Sequence, residues 1–234
     1  MDEDLKEIVS RLKIAHSGTL VSIIVYGSTL TDKTNLRKDE LHILVVTTKL
    51  TAEELRAARP VAKWWVESGY NLPVYFTEKE FKDSLDVFAI EFRQMKRAYR
   101  VLHGADLLAN NNASKKNLRL QTEYELRGKL LRLRSLYLPS SESHENLLRL
   151  MTDSIYSFVQ FFRPILELLG EEPQQNRLAT VKKVGELLKI DTSSLARILQ
   201  LREQQLTLTE TESNHLFASY VDCLTQVIEA VNSL

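Results

Sequence analysis

Two short stretches of this chain carry residue types that do chemistry on phosphates. Ile23-Ile24-Val25-Tyr26 is a β-rich apolar run followed at once by Gly27-Ser28. Glycine at a strand end permits a tight turn, which lets backbone N–H groups and the serine hydroxyl approach a phosphate. After an 11-residue spacer comes a second strand-like run, Glu40-Leu41-His42-Ile43-Leu44-Val45-Val46. Side chains two apart on a strand share a face, so Glu40 and His42 are placed to act on one ligand. Both are candidate catalytic residues, as an acid–base pair or, for Glu40, as a metal ligand. Gly27 and Ser28 are the candidate phosphate-binding residues. The plainer reading of the same pattern is polar residues alternating with core positions, and Ser28 as a helix cap.

These residues need elements to hold them. Residues 2–15 repeat Leu5, Ile8, Val9, Leu12 and Ala15 at helical spacing. Residues 20–26 and 41–47 read as strands, separated by a polar stretch over 32–39. Thr51, with Glu53 and Glu54 behind it, caps a helix over 51–69. Residues 72–76 form a third strand, and Thr77 with Glu80 makes a capping box for the next helix. Residues 87–102 fit helix and strand equally. Asp86 reads as an N-cap there, and Glu91 either finds a partner in Arg93, Lys96 or Arg97 or serves as an additional acid near the site. Asn110-Asn111-Asn112-Ala113-Ser114 reads as a linker. Beyond it the apolar spacing predicts five helices, over 115–138, 145–169, 177–189, 193–203 and 210–231, in an up-and-down bundle. The expected domains are 1–108 and 109–234.

Composition narrows the classes. Residues 1–108 hold 16 basic and 16 acidic side chains, and the remainder 15 and 15. Bulk charge therefore marks neither half as a dedicated nucleic-acid binder. A local basic face remains on helix 115–134, where Lys115, Lys116, Arg119, Arg127, Lys129, Arg132 and Arg134 crowd together. It reads either as an anion or RNA surface or as a face paired with the later helices, since residues 140–234 hold 8 basic and 13 acidic side chains. The single cysteine, Cys223, lies among apolar neighbours and reads as a buried thiol. The acidic start Met1-Asp2-Glu3-Asp4 has no apolar core of a signal peptide, and no apolar run is long enough to span a membrane. A cytoplasmic protein without membrane partners is expected.

Taken together, Tyr26-Gly27-Ser28, the spacer and the 40–46 strand resemble the nucleotidyltransferase superfamily that includes minimal nucleotidyltransferases and kanamycin nucleotidyltransferase. The resemblance covers about residues 20–104 and extends to Arg100-Val101-Leu102-His103-Gly104 as the closing strand and turn. It implies an α+β fold, a mixed sheet with flanking helices followed by an all-α bundle. It also implies an NTP bound by Gly27 and Ser28 as nucleotide-binding residues, and Mg²⁺ held by three carboxylates. Glu40 falls on the first of those positions, His42 on the second and Tyr75 on the third. Imidazole and phenol are poor ligands for Mg²⁺, which takes hard oxygen donors. The implied function is a nucleotide-binding or scaffolding module with impaired catalysis, acting with a protein partner or a second copy of itself. The alternative is an active metal-dependent enzyme that moves an NMP group to a small molecule, an RNA end or a protein hydroxyl. The helical part also resembles HEPN domains, but the Arg-to-His spacing of their RNase members is missing after residue 109.

Overall fold

The computed structural model describes every residue except 31–36, 110, 173, 175 and 205. The expected polar stretch over 32–39 therefore lies mostly outside the described residues. The chain divides into two compact units, Met1–Ser114 and Lys115–Leu234.

The first unit is built on a four-stranded sheet of order β3-β2-β1-β4. Its strands are β1 (Leu20–Tyr26), β2 (His42–Thr47), β3 (Val74–Thr77) and β4 (Tyr99–Gly104). β1 runs antiparallel to β2 and β4, and β2 runs parallel to β3. This is the mixed sheet of the α+β expectation. Ile23, Ile24 and Val25 are consecutive and all fully buried, because helices cover both faces. On one face α1 (Asp2–Ala15) and α2 (Ala52–Glu67) bring Leu5, Ile8, Leu12, Val61 and Trp65 against Ile23, Val25, Leu41, Ile43 and Val45. On the other, α3 (Glu78–Asp83) and α4 (Ala89–Arg97) bring Phe81, Phe92 and Met95 against Ile24, Leu44 and Val46.

The predicted caps of α2 and α3 are both present: Thr51 with Glu54, and Thr77 with Glu80, form reciprocal capping boxes. The ambiguous 87–102 stretch holds both a helix and a strand, α4 then β4. Asp86 is not its cap. α4 begins at Ala89 behind Phe88, with no side-chain cap bond. Glu91 is exposed rather than buried. The expected linker is strapped to α4 instead of hanging free. Arg93 Nε and Nη2 donate to the Ala113 carbonyl at 3.1 and 2.6 Å, and Lys96 Nζ donates to that of Ala109 at 3.0 Å. Ala113 is buried.

The second unit has six helices among its described residues: α5 (Lys115–Ser140), α6 (His144–Val159), α7 (Phe162–Leu168), α8 (Arg177–Leu188), α9 (Ser193–Arg202) and α10 (Glu210–Asn232). The helix predicted over 145–169 is two, because Pro164 has no N–H to offer residue 160 and its ring crowds that carbonyl. Cys223 is buried as expected, and burial pushes its thiol up to about 11. No helix among the described residues is long and apolar enough to cross a membrane.

One buried polar side chain should make the first unit acid-sensitive. His16 is 1% exposed, and neither ring nitrogen has a hydrogen-bond partner among the described residues. Tyr75 lies edge-on to it, with ring centroids 5.6 Å apart. Burial lowers the imidazole pKa, opposed only in part by the charge of Glu54. The folded pKa is below the unfolded one, so the unfolded chain takes the proton first. Stability should be level above about pH 6.5 and fall below it, by at most about 1.4 kcal/mol per pH unit for one histidine. Thermal melts of wild type and His16→Phe across that range check this. The phenylalanine variant should show the shallower acid slope, keeping a residue from His42, whose burial also lowers its pKa. Identical slopes would remove His16 from the account.

Candidate functional site

β1 ends at Tyr26, and the chain turns at Gly27 with φ of 136°. A Cβ on Gly27 would lie 2.0 Å from the Glu40 carbonyl oxygen, so only glycine lets the two segments approach this closely. A 3-10 turn, Ser28–Leu30, follows. Opposite it, a second 3-10 turn, Lys38–Glu40, leads into β2. The Thr29 hydroxyl donates to the Arg37 carbonyl at 3.0 Å and ties the two turns together. Lys38 anchors the second turn from outside. Its Nζ donates to Asp4 at 3.3 Å and to the Ser68 carbonyl at 3.1 Å, and sits 4.7 Å from the Tyr70 ring centroid.

Ser28 and Glu40 meet across this junction. The Ser28 hydroxyl donates to Glu40 Oε2 at 2.5 Å. The other oxygen, Oε1, lies 3.1 Å from Arg37 Nη1. The same guanidinium holds Asp39, with Nη2 at 2.7 Å and Nε at 3.3 Å, and keeps that carboxyl below the usual range. His42, the first residue of β2, pairs in register with Tyr26 and stacks on its ring, with centroids 5.2 Å apart. Burial lowers the His42 pKa, and the charges of Asp39 and Glu40 oppose the shift.

Three expectations change. Glu40 is not on the strand. It belongs to the 3-10 turn before it, and the turn, not the pleat, aims its carboxylate at Ser28. Tyr75 does not join the site. It pairs with Val45 and packs into the α1/α2 face, whereas His42 stacks on Tyr26, which packs on the α3/α4 face. On that second face β3 offers Phe76, which supplies no ligand atom. Among the described residues, the ion pairs of the α5 cations lie within α5 rather than with the acidic helices that follow, and they involve three of the seven. Arg119 and Arg127 both pair with Glu123, at 2.8 and 2.7 Å, and Lys129 approaches Glu125 at 3.9 Å. Arg37 was overlooked in the sequence. Its signal was the i,i+3 spacing to Glu40, a spacing at which opposite charges meet in a helical turn.

No family model matches the chain, and no curated protein matches it in sequence. Among solved structures it is similar to spectinomycin adenyltransferase AAD(9) from Enterococcus faecialis, solved with ATP and spectinomycin. That match is 14% identical with a TM-score of 0.54, over 98% of this chain and 99% of the other. A nucleotidyltransferase-like protein from Exiguobacterium sibiricum matches at 13% identity and a TM-score of 0.44, over 100% of this chain and 75% of that one. The fold is nucleotidyltransferase-like.

The nucleotidyltransferase-like fold implies Mg²⁺, and the donor set among the described residues fits it poorly. Two-metal chemistry needs several oxygen ligands converging on both ions. Here both Glu40 oxygens already have partners within the chain, and the imidazole beside them is packed on Tyr26. Among the described residues no three His, Cys, Asp or Glu side chains are grouped to hold a metal.

Proposed function

We propose that this chain is a nucleotidyltransferase-fold protein with impaired two-metal catalysis, which binds a nucleotide at the Gly27-Ser28 turn or serves as a scaffold. The observation that carries the reading is the closed Ser28–Glu40–Arg37 contact, in which the one carboxylate at the first ligand position is engaged by the protein's own donors. The turn itself is retained, and ATP, present with the similar adenyltransferase, is the first nucleotide to test. The scaffolding side of the reading is supported by large apolar side chains left exposed along α5, Leu120, Tyr124, Leu131 and Leu138.

Calorimetry with ATP, GTP, CTP and UTP, with and without Mg²⁺, is the direct test. At least one nucleotide should bind, with an affinity that Mg²⁺ changes by no more than about threefold. No label should pass from α-phosphate-labelled NTP to any acceptor. Transfer that disappears in Glu40→Ala would instead establish the active enzyme, with Glu40 as metal ligand and His42 beside it.

A further inference from the structure

We propose that Arg37 is a built-in counter-ion that excludes a divalent cation from the Asp39 and Glu40 carboxylates. The inference rests on reading the Ser28 turn as an inherited nucleotide site.

The geometry is that of one guanidinium shared by two acids. Its Nη1 faces Glu40 at 3.1 Å, and its Nη2 and Nε face Asp39 at 2.7 and 3.3 Å. A planar fork suits such an arrangement, and a lysine would supply only a point charge. The backbone delivers this group to its place. The Arg37 carbonyl accepts from the Thr29 hydroxyl at 3.0 Å and from the Glu40 N–H at 3.2 Å. The neighbouring cation, Lys38, is directed elsewhere, to Asp4 and Ser68.

A metal ion entering here would compete for oxygens already in use. Oε1 would have to share its charge between Arg37 and the ion, Oε2 would have to share its lone pairs with the Ser28 hydroxyl, and the ion would meet a like charge a few ångströms away. Arg37, Asp39 and Glu40 side chains are 53%, 57% and 41% exposed. Surface pairs of this kind add little to stability. The consequence of the pairing therefore lies in ligand choice rather than in folding. Arg37 takes the electrostatic place of the ion, and removing its charge opens two adjacent carboxylates to a hard cation, for which Mg²⁺ and Mn²⁺ sites commonly use one or two carboxylates plus water.

The test is a Mn²⁺ titration followed by electron paramagnetic resonance, on wild type, Arg37→Gln and Arg37→Gln/Glu40→Gln, with no nucleotide present. Arg37→Gln should bind Mn²⁺ about tenfold or more tighter than wild type, the scale expected for removing a like charge near a divalent ion at an exposed site. The double variant should lose that gain. Equal binding by wild type and Arg37→Gln, or a gain that survives in the double variant, overturns the proposal. Arg37→Lys, which keeps the charge and loses the fork, should fall between the two, and it decides the matter if the glutamine variant melts early. Nucleotide calorimetry on wild type separates the two ideas. Failure to bind any nucleotide removes the nucleotide reading, whereas the Mn²⁺ comparison is decided by metal alone.

Discussion

Gly27→Ala should destabilise the first unit by about 3 kcal/mol or more, a size reserved for a few structural causes such as strain at a special backbone position. Two of those causes coincide here. The φ of 136° is one that alanine rarely adopts. The new Cβ would also lie 2.0 Å from the Glu40 carbonyl oxygen, 3.1 Å from its carbonyl carbon and 3.4 Å from Leu41 Cα. All three are backbone atoms, so no side chain can swing aside to make room. Relief requires β1 and β2 to part where Tyr26 pairs with His42, and that parting would also draw Ser28 away from Glu40. Urea unfolding should show a lower midpoint with an unchanged slope. Curves that coincide with wild type within about 0.5 kcal/mol, the usual range for a neutral surface change, would refute the close-approach argument.

Trp65→Ala should cost about 3–5 kcal/mol, as expected for removing a large aromatic from a packed core. Trp65 is fully buried and stacks on Tyr70, with ring centroids 3.7 Å apart and planes 7° from parallel. Its effect reaches the site through a short column of contacts. The Tyr70 hydroxyl donates to Asp4 at 2.6 Å, and Lys38 lies over the Tyr70 ring while also binding Asp4. Loss of the indole should therefore loosen the Lys38–Glu40 turn as well as the core, seen as faster amide exchange at Glu40 and Leu41. Trp65→Phe is a sharper control. The indole N–H is buried with no partner among the described residues, so phenylalanine removes an unsatisfied donor along with some volume. Its cost should stay below about 1.5 kcal/mol. Equal losses for the two variants would show that aromatic stacking contributes little.

Much of the architecture was legible because its causes are local. The α1 helix, the β1 strand and the capping boxes of α2 and α3 follow from apolar period and from residues within one turn of each helix start. The fold class was legible for the same reason, since Gly27-Ser28 and the following strand are close in sequence. Element ends near prolines and loops were less so. Pro164 divided a helix whose apolar period runs on without a pause, and the ambiguous 87–102 stretch turned out to hold a helix and a strand in succession.

By itself, the sequence determined which residues stand at the junction: Gly27, Ser28, Glu40 and His42, with a carboxylate at only one of three implied ligand positions. Tertiary structure decided how they are used. The register of β3 against β2 turned Tyr75 to the α1/α2 face, because a shift of one residue in a strand exchanges its two faces. The 3-10 turn before β2 aimed Glu40 at Ser28 and placed Arg37 against it. Spacing along the chain does not specify contacts between two turns 12 residues apart; the sheet pairing of β1 with β2 does, by bringing Gly27 against the Glu40 backbone and leaving room for nothing larger than hydrogen.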